Sequence, residues 1–193
     1  MKTYKVILDK TSEKQGIKKL SLVNSPAIKE TFLALSEEVR MNFSSDKMQV
    51  VGAILIPDVP IDRFNEDLGE HKVVFEQDEV SYLHSQMMRD GIDAFNIEHA
   101  LDLEKGDAYI REVWTKESEN DKSVDFGMGH LPVGTVFVNA QIKNEEAWKS
   151  IKGRELNGFS VEMVSNLEEI NMSDSVKELT DAYKELKELL INK

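Results

Sequence analysis

The chain contains no cysteine, which removes disulfides, thiolate nucleophiles and every zinc site built on a Cys ligand. Its four histidines show neither HxH nor HExxH spacing, so no metal site is expected. No apolar run approaches the length a bilayer helix needs. The opening Met1-Lys2-Thr3-Tyr4-Lys5 leads into an apolar patch too short for a secretory signal, so a cytoplasmic protein is expected. Basic residues are also scarce. With 24 Lys and Arg against 36 Asp and Glu the net charge is −12, which argues against general nucleic-acid binding, because affinity for phosphate backbones comes mostly from Lys and Arg. Basic partners or a crowded assembly suit such a chain better. What chemistry there is must come from serine, histidine and carboxylates.

The content is that of a globular protein: 40% hydrophobic and 31% charged over 193 residues, enough for one well-buried domain and an appendage. Short strands are expected at Tyr4 to Leu8 and Ile17 to Val23, able to pair as a hairpin, with Ser36 to Lys47 a polar linker. The apolar run Met48 to Ile56, stopped by Pro57, fits a strand covered on both faces. Asp58 to Glu70, with five acids, Pro60 and Gly69, reads as a loop. Val80, Leu83, His84, Met87 and Met88 recur at helical spacing and stop at Gly91. Further strands are expected at Phe95 to Leu101, Tyr109 to Thr115 and Gly134 to Lys143, and Asn144 can cap a two-turn helix. Between them Asp121 to Leu131 reads as a mobile glycine-rich loop. The division is 1–47 for N-terminal strands and linker, 48–165 for the main domain, and 166–193 for an amphipathic C-terminal helix. In that last stretch Val176, Leu179, Tyr183, Leu186 and Leu190 form a heptad seam, suited to a partner helix, to copies of itself or to its own core.

Four polar residues on candidate strands are singled out, two of them in apolar registers. Around Gly158-Phe159-Ser160-Val161-Glu162 the alternation puts Ser160 and Glu162 on one face and Phe159 and Val161 on the other. His99 shares a face with Ile97 and Leu101, and Glu112 falls between Ile110 and Trp114. A carboxylate so placed needs a partner or a rim position. On the residues alone, a core histidine with a satisfied hydrogen bond and a rim charge account for His99 and Glu112 better than catalysis does. His71, His84 and His130 read as surface or helix-face residues.

The run Val51-Gly52-Ala53-Ile54-Leu55-Ile56-Pro57, then Asn96-Ile97-Glu98-His99, Arg111-Glu112-Val113-Trp114, Leu131-Pro132-Val133-Gly134-Thr135-Val136-Phe137-Val138 and Gly158-Phe159-Ser160-Val161-Glu162 resembles, in that order, the prohead serine proteases of tailed phages. The resemblance extends over roughly residues 1 to 165. It implies an α+β, mainly β fold related to the herpesvirus maturation protease, a closed and mostly antiparallel β-barrel with helices around it. It implies a serine endopeptidase enclosed in the immature capsid in the host cytoplasm, cleaving scaffold and capsid proteins and often itself, without a cofactor. By motif, Ser160 matches the nucleophile and His99 the base. The third group differs between branches of the family. Glu112 is the first candidate, since pairing with His99 would account for its burial, and Glu162 the second, on the nucleophile's own strand. The chain departs from the pattern where Ala100 replaces an acid, Asp102 being the nearest, and where Val113 follows Glu112. These departures keep open a structural or scaffold head protein that retains the fold without the activity. The C-terminal seam is assigned to scaffold contact or self-association.

Overall fold

The computed structural model describes residues 1–26, 33–36 and 46–170. Twelve strands and two α-helices occur among them. β1 (Thr3–Ile7), β5 (Ile61–Asn65), β6 (Gly69–Val74) and β12 (Asn166–Ile170) form one sheet in the order β12-β1-β6-β5. β3 (Leu33–Ser36), β4 (Asp46–Leu55), β9 (Ala108–Thr115) and β10 (Val136–Ile142) form a second, ordered β3-β4-β10-β9. β2 (Gly16–Val23), β7 (Phe95–Ile97), β8 (Leu101–Asp102) and β11 (Gly158–Val164) form the third, ordered β11-β2-β7-β8. α1 (Gln77–Arg89) and α2 (Glu145–Lys152) complete the set.

The closed barrel that the resemblance implied is therefore not formed: the strands make three separate open sheets. Most pairings are antiparallel, but β1 runs parallel to β6 and β2 parallel to β7. Closure requires strand number, tilt and stagger to agree around a ring, and short alternating segments carry no record of that agreement. The expected β1–β2 hairpin fails as well, since the two strands lie in different sheets. The stretch expected to be a loop over 58–70 holds β5 and the start of β6, paired as a hairpin from Ile61↔Val73 to Asn65↔Gly69. Its acids sit largely on exposed positions of that hairpin, so charge hid a real alternation.

β1 is interior to its sheet and β2 is the direct neighbour of β11, so the N-terminal strands are part of the main body rather than a layer upon it. Residues 166–170, assigned to the C-terminal helix, form β12 against β1. The seam helix itself lies outside the described residues, as does most of the expected linker.

The core is densest where β4 and β10 run side by side. Val50, Val51, Ala53, Ile54 and Leu55 are buried on successive positions, the mark of a strand covered on both faces. Val136, Phe137 and Val138 behave alike, buried by cover on both sides. Asn144 caps α2 as its position suggested, accepting from the Ala147 N–H at 2.9 Å.

Helix α1 fixes β2. It buries Val80, Leu83 and Met87, and its Gln86 amide meets the β2 backbone, accepting from the Ile17 N–H at 2.9 Å. Gly16 has φ of 107°, and a Cβ there would stand 2.5 Å from Gln86 Oε1, so glycine is required where the chain turns under that amide.

The loop expected to be mobile is tied down. Residues 122–126 make a 3-10 turn begun by Asp121, whose carboxylate accepts from the Ser123 N–H at 2.8 Å. Lys116 is fully buried and donates to the carbonyls of Gly129 and Leu131 at 2.6 and 2.7 Å and to Glu119 at 2.9 Å. Lys116→Met leaves both carbonyls without their donor and is expected to cost about 2–4 kcal/mol. A urea denaturation midpoint equal to that of the wild type would show that the ammonium is dispensable.

Candidate active site

β2 lies between β11 and β7, and its Ser21 is opposite Ser160 on one side and Asn96 on the other. Residues directly opposite share a face. Glu162, two positions beyond Ser160, belongs to that face too. Four polar side chains from three strands therefore gather where Leu20, Leu22, Phe95, Phe159 and Val161 provide an apolar frame.

His99 closes the group, though not from within a strand as its register suggested. β7 ends at Ile97, and Glu98 and His99 form the centre of a tight turn to β8, with φ of 53° and 57°. The Ala100 N–H donates to the Ile97 carbonyl at 3.0 Å, so this is the mirror-image hairpin turn that ordinarily calls for Asn-Gly. Holding two residues with Cβ atoms there costs of order 1–3 kcal/mol each. The Glu98 N–H bonds the Leu22 carbonyl at 3.0 Å, and the Glu98 carboxylate accepts from the Asn24 N–H at 2.5 Å. Strain held in place by such contacts brings the imidazole back over β2 and β11.

The polarity of the group follows from its donors. Glu162 Oε1 is 3.1 Å from His99 Nδ1 and accepts from Asn96 Nδ2 and, at 3.3 Å, from the Ser21 hydroxyl. Burial works to raise the Glu162 pKa, but these bonds together with the imidazole outweigh it and hold the carboxyl below the ordinary glutamate value. An ionised carboxylate only accepts, so Nδ1 carries the imidazole proton and Nε2 is left bare. Ser21 Oγ stands 2.8 Å from the same Nδ1 and is fully buried. It bridges histidine and glutamate.

Ser160 is 6% exposed, and its side chain lines a cleft of about 690 Å³ together with His99 and Glu162. Among the described residues its hydroxyl has no hydrogen-bond partner. The structure thus puts Ser160 and His99 at one cleft, but the serine bonded to the histidine is Ser21. Ser160 and Glu162 are two residues apart on β11, about 6.6 Å along an extended chain, which leaves room for an imidazole over both. The closeness of the two residues is thus no obstacle to their sharing one histidine.

Glu112 is elsewhere. It lies in β9, in a different sheet from β7 and β11, half exposed and paired with Lys122, whose ammonium also stands 3.9 Å above the Trp114 ring. That is the rim charge, and the geometry gives the histidine to Glu162. The Gly127-Met128-Gly129 loop lines no part of the cleft, and Met128 is buried. His71, expected at the surface, is 3% exposed and lines the cleft wall, edge-on to Tyr4. His84 is half-buried against Thr115, and burial pushes its pKa down. Ser21 and Asn96 were not singled out from the sequence. The available signal was a polar side chain inside an apolar run, as in Leu20-Ser21-Leu22. Among the described residues no group of three or more His, Asp or Glu is placed to hold a metal ion.

Comparison with known families gives one match: residues 38–169 fit the family model described as "Putative phage serine protease XkdF". No curated protein and no solved structure matches the chain. The matched stretch includes Asn96, His99, Ser160 and Glu162 but begins after Ser21.

Proposed function

The chain belongs to this family of phage serine proteases, and on that premise we propose that it is a prohead maturation endopeptidase, cleaving scaffold and head proteins, and itself, through an acyl-enzyme. Ser160 is the nucleophile and His99 the base. Glu162 is the third group, and Ser21 and Asn96 are positioning residues that act through Glu162 and His99. The observation that carries the reading is that the His99 Nδ1 edge is held by Glu162 while the same imidazole shares a cleft with Ser160.

The chemistry follows from that polarity. Nε2 takes the Ser160 proton as Oγ attacks the scissile carbonyl, and Glu162 stabilises the imidazolium that results. When the tetrahedral intermediate collapses, the C–N bond breaks and His99 returns the proton to the leaving amine. Water then repeats the cycle on the ester, freeing Ser160. Asn96 and Ser21 keep the carboxylate and the ring in register, so little reorganisation is needed at the moment of transfer. Among the described residues β11 is outermost in its sheet, and an extended substrate added to it as a further strand would suit an unstructured scaffold segment.

Incubating purified scaffold with wild type and with Ser160→Ala tests the reading. Cleavage by wild type alone supports it, and equal cleavage by both sinks it. One observation favours the second reading, an inactive head protein that retains the fold: Ser21, not Ser160, lies within hydrogen-bond reach of the base. The recruitment of the protein to scaffold, or to its own copies, through the C-terminal seam belongs to this proposal too.

A further inference from the structure

Arg63 lies in β5 directly across from His71, and both side chains line the cleft that holds Ser160 and His99. Alternation along β5 puts Arg63 on the same face as Ile61, which is buried, whereas Asp62 points the other way and pairs with Lys72. A guanidinium is thus set into the inward face of the hairpin. Among the described residues no carboxylate pairs with it. Burial pushes its pKa below the ordinary arginine value, with no opposing charge to restore it. A partly desolvated cation without a partner is costly, and proteins ordinarily answer it with an anion.

Among the described residues the surroundings supply none. Glu162 is the one acid in the cleft wall, and it is already taken up by Asn96, His99 and Ser21. The other cation, Lys18, is directed to the Glu13 carbonyl at 3.2 Å. Beside Arg63 the wall is apolar and open: Val164 is 48% exposed and Leu167 37%. An extended chain laid in the cleft beside β11 would therefore meet apolar contacts with the Arg63 guanidinium among them.

We propose that Arg63 is a specificity-determining residue that receives the carboxylate of a glutamate or aspartate side chain of the substrate, while Val164 and Leu167 cover the apolar residues beside it. The planar fork suits a carboxylate bidentately, and a terminal carboxylate shares that chemistry. This inference rests on the cleft being the protease's substrate site.

The test uses capped octapeptides carrying Glu or its isostere Gln at each position in turn, and a third set ending in a free carboxylate. Cleavage by the full chain is followed by mass spectrometry, and binding to the Ser160→Ala variant by fluorescence anisotropy. The expected result is one position at which Glu exceeds Gln by about tenfold or more in kcat/KM and in affinity. Arg63→Gln should bring that ratio close to one, and Arg63→Lys should retain part of it. Equal use of Glu and Gln at every position, a ratio that survives Arg63→Gln, or a preference confined to the free terminal carboxylate each overturns the inference. The two readouts fail separately: cleavage without Glu preference removes Arg63's role and leaves the protease. Glu-selective binding without any cleavage removes the protease and leaves an acid-selective cleft.

Discussion

Ser160→Ala is expected to lower the proposed scaffold cleavage by about 10⁵-fold, His99→Ala to fall to the same level, and the double variant to be no worse than either, as two groups acting as one unit would. The effect is large because it removes the atom that forms the ester or the atom that takes its proton. Ser21→Ala behaves differently. Its hydroxyl touches the far nitrogen of the imidazole and the Glu162 carboxylate, so the loss is expected to be about tenfold and to fall on kcat rather than KM. Ser21→Thr, which restores a hydroxyl, should recover most of it. A merely structural role for Ser21 would show instead as lowered stability with kcat preserved. Cleavage time courses on one purified scaffold substrate separate these cases.

The second large effect belongs to Glu162. Glu162→Gln substitutes an amide for the group that fixes the proton on Nδ1, and the rate is expected to fall by about 10³–10⁴-fold through loss of the correct tautomer and of imidazolium stabilisation. Glu112→Gln, whose carboxylate meets only Lys122 at the rim, is expected to stay within about twofold. The reverse ranking would return the third role to Glu112. A pH signature accompanies the substitution. The Glu162 carboxyl is held below the ordinary glutamate value in the folded protein, so its ionised form adds stability that is fully present above the unfolded value and lost as pH falls through the lower folded one. The melting-temperature gap between wild type and Glu162→Gln should therefore be constant above about pH 5.5 and close as the pH drops below about 4.5. A gap that widened in acid would mean that the carboxyl is protonated when the protein is native.

What could be read along the chain was what periodicity writes locally. Ser160 and Glu162 on one face of a strand, the apolar stripe of α1 and the Asn144 cap all follow from spacing and residue type within one element. The connection between elements is written in register, and register between distant strands has no local trace. Ser21 meets His99 across 78 residues and Glu162 across 141, and nothing in either neighbourhood announces the contact. His99 shows a second limit. Alternation through Ile97, His99 and Leu101 suggested a strand, because Glu-His is not a pair that signals a tight turn. Its left-handed backbone is imposed by contacts of Glu98 with Leu22 and Asn24. Glu112 and the hairpin at 61–74 mark the opposite error. In one an apolar register was taken as burial, where Lys122 and the ring of Trp114 hold the charge at the rim. In the other a dense run of acids masked two paired strands. The closed barrel failed for the same reason as Ser21: order along the chain was preserved while the way the edges meet was not.

The hydroxyl of Ser160, and not the bonded hydroxyl of Ser21, is proposed as the nucleophile served by His99. Labelling the intact protein with a serine-directed fluorophosphonate and mapping the adduct by mass spectrometry addresses it in one measurement. The account predicts a single adduct on Ser160, abolished by His99→Ala and strongly slowed by Glu162→Gln. An adduct on Ser21, or no adduct on a folded protein at any pH between 6 and 9, would contradict it.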